Sequence, residues 1–191
     1  MNEFEHEPIP GLPAHLPAGE RLLWQGSPDW WSVARRVLHV RAITLYFGVL
    51  LLWRAASGWY DGQTAQQILS SCAWLLVLGI ATLLFLLWVA HRVARSTIYS
   101  ISSKRVVMRY GVALPVALNI PFAAVRNAAL REYADGTGDI PLELATQQAR
   151  VAYLHLWPHA RPWKLTPAQP MLRGVPQASQ AARILAEALA P

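Results

Sequence analysis

Cysteine is almost absent from this 191-residue sequence, in which Cys72 is the only one. A single cysteine excludes an intrachain disulfide and a cysteine-based metal cluster. The sequence also lacks a glycine-rich phosphate loop, a G-x-S-x-G nucleophile elbow and an H-E-x-x-H zinc motif. Its six histidines are scattered, and none has a cysteine or carboxylate at ligand spacing. We therefore expect a protein that is not an enzyme and that holds no resident metal or cofactor.

Acidic residues are few, 11 Asp and Glu against 17 Lys and Arg, which gives a net charge of +6. Clustered cations attract nucleic-acid phosphates, so a basic chain is a candidate nucleic-acid partner. Here, however, the cations flank two long apolar runs. Basic residues beside a membrane span are attracted to acidic lipid headgroups. We therefore expect membrane lipids, and no nucleic acid, among the partners.

The second apolar run, residues 68–90, is the strongest structural signal in the chain. Its 23 residues carry no charge, and at about 1.5 Å of rise per residue such a helix crosses the ~30 Å hydrocarbon layer of a bilayer. The first run, about residues 37–60, contains Arg54, whose side chain either snorkels to the interface or pairs with an acidic group of a partner. We predict a transmembrane hairpin with spans at about 37–60 and 68–90.

The distribution of Lys and Arg predicts the orientation of that hairpin. Cations precede the first span and follow the second, whereas the connection at residues 61–67 has neither Lys nor Arg. Cytoplasmic loops of membrane proteins carry the excess of these residues. We expect a multi-pass membrane protein with both termini in the cytoplasm and the short connection outside.

The first 95 residues divide into two predicted segments. Residues 1–26 combine glutamates with spaced prolines, which predicts an extended acidic N-terminal arm. Residues 27–95 hold an interfacial helix and the hairpin, with Ser27 as N-cap and Pro28 at the first helical position. The apolar stripe of that helix begins at Trp30. The residues expected at the lipid interface are Trp30, Arg35, Arg36, Arg41, Arg92, Arg95, Lys104 and Arg105.

From residue 96 to residue 191 the apolar period changes from helical to two, which indicates β-strands. Residues 97–101 and 105–110 are rich in β-branched and aromatic side chains. A strict alternation follows, which predicts one buried and one open face. The apolar positions of that alternation are Leu114, Val116, Leu118 and Ile120.

The end of the chain completes the expected domain. Residues 140–144 and 151–157 alternate like strands, residues 158–170 form a basic, proline-broken loop, and residues 177–190 have a helical apolar stripe. We predict an α + β membrane protein in which the transmembrane hairpin precedes a cytoplasmic antiparallel β-barrel or sandwich, capped by the C-terminal helix at 177–190.

The segment 135–139 has two interpretations. Asp135, Thr137 and Asp139 match the first three positions of a calcium loop, but Thr146 stands where the closing glutamate belongs. Asp and Gly in this arrangement are also typical of a hairpin turn. We predict the turn.

Several segments in this order resemble bacterial PH-type membrane proteins. They are GERLLWQG at 19–26, TIYSISSKRVVMRYG at 97–111, NIP at 119–121 and GTGDI at 136–140, with the two-span hairpin between the first two. Within that family, HEPIPGLP at 6–13, WQGSPDW at 24–30 and RPWKLTPAQPMLRGVP at 161–176 resemble the photosynthetic complex assembly proteins of purple bacteria. The resemblance covers essentially the whole chain.

The resemblance implies a PH-like cytoplasmic domain and a role that the residue patterns alone do not show. It implies a non-enzymatic factor that helps the reaction centre and its core light-harvesting complex assemble in the intracytoplasmic membrane. The partners would be reaction-centre subunits and other photosynthetic assembly factors, and a homo-oligomer is compatible with that role. The alternative is a membrane-anchored adaptor that binds anionic lipid, or another membrane complex, through basic residues that include Arg109.

The predicted loop at 158–170 and the residue before it form the candidate partner-binding site. This segment mixes aromatic and basic side chains, the types enriched at binding surfaces. The alternative is that its two tryptophans pack underneath the loop as core. The residues concerned are Trp157, His159, Arg161, Trp163 and Lys164.

Two histidines lie at the cytoplasmic ends of the predicted spans. His39 precedes the first span and His91 follows the second, so an antiparallel hairpin would bring both to one membrane depth. A neutral imidazole is a good axial ligand, which raises the alternative of transient bacteriochlorophyll contact in a pigment-assembly factor. The other interpretation is two interfacial histidines that face lipid headgroups.

Overall fold

The computed structural model describes residues 11–12, 15–112, 114–145 and 153–190. The chain divides into two compact units. The sheet unit comprises Met1–Val33 and Arg92–Pro191, and the helical unit comprises Ala34–His91. The described residues before α1 therefore belong with the C-terminal half of the chain.

Two long helices, α2 (Val40–Tyr60) and α3 (Ala65–Ser96), follow one another. Within the helical unit they pack as an antiparallel hairpin, because a Cβ placed on Gly79 would lie 3.1 Å from the ring of Phe47. Both helices are long and apolar enough to cross a membrane. Only 6 % of the most apolar window of each is buried, so their side chains face outward, as a lipid surrounding requires.

Arg54 lies near the loop end of α2. Its Nη2 donates a hydrogen bond to Oε1 of Gln63 at 2.8 Å. Gly58 leaves room for this path, since a Cβ there would lie 2.9 Å from Nη1 of Arg54. The guanidinium thus reaches toward the loop between the helices, as a snorkelling side chain does.

A short helix, α1 (Trp30–Arg36), precedes α2. Its N-cap is Asp29, whose Oδ1 accepts a hydrogen bond from the backbone N–H of Ser32 at 2.6 Å. The prediction of Ser27 as N-cap is therefore wrong, because the aspartate two residues later satisfies the first turn instead. The N–H of Asp29 in turn donates to the carbonyl of Gly174 at 2.8 Å, which ties the start of α1 to the last strand.

The N-terminal arm ends earlier than predicted. β1 (Leu22–Gly26) pairs antiparallel with β2 (Ile98–Ser102), and Leu12 is buried. Acidic and proline-rich composition predicts a solvated segment, but apolar residues such as Leu22 and Trp24 complete a sheet edge here. Residues 1–10 and 13–14 of the predicted arm lie outside the described residues.

The first sheet has the order β1-β2-β3-β4, where β3 is Arg105–Tyr110 and β4 is Val116–Pro121. All three pairings are antiparallel. The predicted alternation after Gly111 holds at Ile120, which is buried, but fails at Leu114 and Val116, which are exposed. The β3–β4 hairpin extends beyond the core, so the outer half of the pattern has nothing to pack against.

The second sheet has the order β5-β7-β9-β8, with β6 paired to β7. A 3₁₀ turn at Phe122–Ala124 connects the two sheets. No hydrogen-bonded strand pair joins them among the described residues, so the barrel is not closed and the unit has two sheets, as in the sandwich alternative. The strands are β5 (Val125–Ala128), β6 (Arg131–Glu132), β7 (Gly138–Leu144), β8 (Ala160–Leu165) and β9 (Ala168–Val175).

Two further predictions fail between β7 and β9. The strand predicted at 151–157 is a helical turn, α4 (Tyr153–Leu156), in its described part; residues 151–152 lie outside the described residues. The loop predicted at 158–170 is instead β8 and the start of β9, which form a hairpin. Prolines argued against strands there, but β8 is an edge strand, where a missing N–H costs no ladder bond.

The core lies between the two sheets and under the C-terminal helix α5 (Ala178–Leu189). α5 contacts β1, β7 and β9, so it touches strands of both sheets. Its stripe of Ala178, Ala181 and Leu185 is buried, while Arg183 and Glu187 form an exposed pair at 3.9 Å. The helix thus covers the apolar edge that two sheets of this size leave open.

Candidate partner-binding surface

The exposed side of α4 and β8 carries most of the aromatic and basic residues predicted for partner binding. α4 and β8 are neighbours, and the buried Leu156 fixes α4 to the core. Every residue of β8 after Ala160 is exposed. We define the aromatic surface as Leu154, Trp157, Arg161, Trp163, Lys164 and Leu165.

Trp163 is the most exposed residue of the aromatic surface. Its side chain is 96 % exposed, and its backbone has a φ of +63°, in the left-handed region. A left-handed conformation costs an L-residue about 1–2 kcal/mol, and a bulky aromatic there is an outlier. Because the side chain of Trp163 buries almost no area, its packing does not offset this backbone strain.

The other large side chains of the surface are also open to solvent. Trp157 is half-exposed and Leu154 is 85 % exposed, so packing of the two tryptophans as core is wrong. Arg161 donates from Nη1 to Oε1 of Gln169 at 3.0 Å, which holds its guanidinium beside β9. Lys164 is exposed. In sequence, the nearest carboxylates are Glu143 and Glu187, so this stretch is purely basic.

His159, predicted as part of this surface, is buried in the core. Its Nε2 lies 3.2 Å from the Thr97 hydroxyl and its Nδ1 lies 2.7 Å from the Tyr99 hydroxyl. Thr97 already donates its hydrogen to the carbonyl of Val93 at 2.8 Å. Nε2 must therefore carry the proton and donate to Thr97, while Nδ1 accepts from Tyr99.

The charge state of His159 follows from this environment. Burial, helped by the positive charge of Arg173, lowers the pKa of His159 to about 3. The ring is therefore neutral and braces β2 against β8 and β9. Burial also raises the pKa of Tyr99. A partner cannot reach this histidine, so its place in the predicted site is wrong.

The basic residues predicted at the lipid interface are not brought together. Arg92 and Arg95 are exposed at the end of α3, next to the start of β2. Lys104 and Arg105 lie at the opposite end of β2, about 15 Å away at ~3.3 Å per strand residue. The expected single patch of cations is therefore divided between two ends of the first sheet.

Arg105 has an internal partner that the sequence did not indicate. The Glu20 carboxylate accepts hydrogen bonds from Nε and Nη2 of Arg105, each at 2.8 Å, and from the Ser102 hydroxyl at 2.6 Å. These donors, Arg105 first, hold the pKa of Glu20 below its usual range. Arg105 is therefore part of the fold, and its contact with lipid stays a prediction.

The remaining predicted interface residues lie on α1 and at the start of α2. Trp30 is partly exposed and stacks at a tilt on Trp31, with ring centroids 5.6 Å apart. Arg35 and Arg36 occupy the last turn of α1, where cations complement the helix dipole. Arg41 is exposed in the first turn of α2. Their contact with lipid stays a prediction.

His39 and His91 are both exposed. The contact of Phe47 with Gly79 sets the register of the hairpin. Continued along both helices, this register places residue 87 opposite His39. His91 thus lies one helical turn, about 6 Å, further along its helix. The two rings are therefore offset, and transient bacteriochlorophyll contact stays a prediction.

The turn predicted at 135–139 is present, between β6 and β7. Oδ1 of Asp135 accepts from the backbone N–H and hydroxyl of Thr137 at 3.2 and 2.6 Å. Asp139 accepts from the Tyr133 hydroxyl at 2.7 Å and from the N–H of Gly174 at 2.8 Å. These carboxylates close the turn and join β7 to β9.

A groove of about 590 Å³ lies between α5 and β5, away from the aromatic surface. Ala182 and Leu189 give it an apolar floor, and Arg126 and Arg183 stand at its rim. None of the residues predicted as sites lines it. No local residue pattern predicts this groove, because it arises where two elements that are distant in sequence meet.

Comparison with known proteins agrees with this architecture. A relative from Rhodobacter capsulatus, described as an uncharacterized 23.7 kDa protein in the puhA 5′ region, is 40 % identical over 189 residues, which cover 98 % of this chain and 87 % of that protein. No solved structure matches the chain. The bacterial PH domain family matches residues 37–189. The chain therefore belongs to the bacterial PH domain family, as its segments indicated.

Proposed function

We propose that the chain is a non-enzymatic assembly factor of the PuhB type for the photosynthetic reaction centre and its core light-harvesting complex. It resides in the bacterial inner (intracytoplasmic) membrane as a multi-pass protein with both termini in the cytoplasm. Support comes from two apolar helices of spanning length, from membership of the bacterial PH domain family, and from a relative described as lying in the 5′ region of puhA.

The observation that carries the proposal is the exposure of Trp163 in a left-handed backbone conformation, next to Lys164 and two residues after Arg161. Strained residues persist where the surrounding structure imposes them, and they concentrate at functional sites. Tryptophan and arginine dominate binding hot spots. The aromatic surface therefore docks nascent reaction-centre subunits, or other photosynthetic assembly factors, through acidic and apolar groups on their cytoplasmic faces.

Release of the client is built into such an arrangement. Factor and client share one membrane, which raises their effective concentration, so that a weak contact suffices for encounter. A small surface with two tryptophans and two cations gives a contact that also dissociates. An assembly factor needs both properties, because it must leave the finished complex.

The test is the double substitution Trp163→Ala with Lys164→Ala in photosynthetically grown cells. Loss of a hot-spot tryptophan weakens a contact by about 2 kcal/mol or more, roughly thirtyfold in affinity. We expect the yield of reaction centre and core antenna, measured by absorption of isolated membranes, to fall severalfold while the level of the factor stays constant.

The matched control is Arg183→Ala, which removes an exposed cation from α5 and should leave the yield unchanged. An unchanged yield in the double variant, when the double variant and the control variant are both present at normal levels, refutes docking through the aromatic surface.

The adaptor function has its own support in Arg92 and Arg95, which are exposed at the end of α3. Cations beside a span are attracted to acidic headgroups, although membrane topology already explains most of this charge. Deletion of the gene separates the two functions. Selective loss of the reaction centre supports the assembly factor, whereas a general envelope defect supports the adaptor.

A further inference from the structure

The hairpin between β3 and β4 ends in an exposed apolar tip, which we define as Val112, Leu114, Pro115 and Val116. Leu114 is 80 % exposed, and Val112 and Val116 are 44 % and 42 % exposed. Edge strands in soluble proteins are usually blunted with charges, yet no charged residue occurs from Gly111 to the end of β4. An uncharged apolar surface of this kind marks a contact site.

The tip begins in a tightly built turn. Gly111 has a φ of +118°, and a Cβ at this position would collide with the backbone carbonyl of Leu114. On both sides the strands are paired, with Tyr110 opposite Val116 and Arg109 opposite Ala117. The fold therefore presents these apolar side chains from a fixed base.

The strand register shows at which end of the first sheet the tip lies. Arg109 pairs with Ile98, the first residue of β2, so the tip projects beyond the start of β2. α3 ends at Ser96, only two residues before Ile98. The end of α3, which belongs to the sheet unit from Arg92 onward, and the apolar tip therefore lie at the same end of the first sheet.

The charges near this end of the sheet complement a lipid surface. Arg92 and Arg95 are exposed on the last turns of α3, and Arg109 stands opposite the start of β2. One carboxylate, Asp29, lies at this end, three residues beyond Gly26, which pairs with Tyr99, and its Oδ1 accepts a hydrogen bond from the N–H of Ser32. An apolar projection bordered by cations is the residue pattern of segments that lie in the headgroup and acyl boundary of a membrane.

We propose that the apolar tip embeds in the cytoplasmic leaflet as a second membrane contact of the chain, beside the end of α3. The occupant of this surface is lipid, with acyl chains around Leu114 and acidic headgroups at Arg92 and Arg95. This contact rests on the membrane location proposed above. It would fix the orientation of the sheet unit, and with it the direction in which the aromatic surface faces.

The test uses the full chain in vesicles of phosphatidylcholine with a minority of phosphatidylglycerol. Cys72→Ser removes the native thiol, and an environment-sensitive fluorophore is attached to a new cysteine at Leu114→Cys, Leu84→Cys or Leu154→Cys. Leu84 is exposed on α3, and Leu154 is an exposed leucine of the sheet unit. We expect shallow doxyl-labelled lipid to quench the label at 114 about twofold or more relative to that at 154, because segments of this kind enter the boundary by ~5–10 Å.

Each other outcome overturns the proposal in a distinguishable way. Quenching at 84 with equal, weak quenching at 114 and 154 rejects the tip contact and leaves the membrane location intact. An absence of quenching at 84 rejects both. A blue-shifted label at 114 that depends on protein concentration and ignores doxyl lipid shows that a second copy of the chain, and not lipid, covers the tip.

Discussion

At the scale of single residues, His159 shows how little the residue type says about its role. Histidine beside tryptophans and cations is typical of a binding surface, but this ring is buried and hydrogen-bonded to Thr97 and Tyr99. The hydroxyl of Tyr110 is buried nearby without a hydrogen-bond partner among the described residues. The histidine thus contributes to the fold as a neutral polar bridge.

Neutrality of His159 predicts a pH dependence of stability. Its pKa is about 3 in the folded state against an ordinary value of 6.5. Between these values the unfolded chain binds the proton and the folded chain does not, so the free energy of unfolding falls as the pH drops below 6.5, by about 1.4 kcal/mol per unit. We expect a loss of about 2 kcal/mol between pH 7 and pH 5.

The measurement is thermal unfolding of the detergent-solubilised chain at several pH values, with His159→Asn as the matched variant. The variant should be less stable at pH 7 and should lose the slope between pH 7 and pH 5. Equal slopes in both proteins would show that His159 is not the group that titrates.

Glu20 leads to a second prediction at this scale. Its carboxylate is buried and accepts three hydrogen bonds from Arg105 and Ser102. Glu20→Gln should lower the free energy of unfolding by about 1.5–3 kcal/mol, because a charge-assisted hydrogen bond is lost inside the fold. Disruption of the exposed Arg183–Glu187 pair by Arg183→Ala should cost less than about 0.5 kcal/mol. Similar costs in chemical denaturation would contradict the structural role of Glu20.

At the scale of elements, β8 holds a residue against its backbone preference. Trp163 has a left-handed φ and almost no buried area. Trp163→Gly should therefore keep the stability or raise it by about 1 kcal/mol, since glycine adopts this conformation without the strain, while the yield of photosynthetic complexes falls. Chemical denaturation and membrane absorption of the same variant separate the two effects. A strongly destabilised variant would show that Trp163 serves the fold and not a partner.

Elements with a local period were predictable from sequence. α2 and α3 follow from long apolar runs, β2 and β3 from β-branched residues, and α5 from its alanine and leucine stripe. β8 and β9 were not, because their strand character depends on pairing with each other and with β7. The prolines in that segment are local signals against strands, and tertiary pairing overrides them at a sheet edge.

The candidate site was predictable only in part. Residue type singled out Trp157 and Trp163, both of which are exposed. Leu154 and Leu165 are exposed as well and were missed, because the elements predicted at 151–157 and 158–170 were wrong. The apolar tip was missed because the alternation placed Leu114 on a buried face. Periodicity shows which residues share a face of a strand, but it does not show where the core ends.

At the scale of the whole molecule, the chain combines two parts that differ in the surroundings they favour. Two apolar helices have the length of a bilayer, and a sheet unit of the bacterial PH domain family carries its core, its buried ion pair and its exposed aromatic surface. A two-dimensional search within one membrane makes a weak docking surface sufficient. That combination is what links membrane anchoring with the proposed assembly role.

The most direct test of this account is photocrosslinking from position 163 in photosynthetic membranes of living cells. A photoreactive amino acid replaces Trp163, with a second strain carrying it at Arg183 as the control position. The account predicts adducts with reaction-centre subunits or their assembly partners from position 163 alone, most abundant while new complexes form. Adducts with lipid only, or the same adducts from both positions, would contradict it.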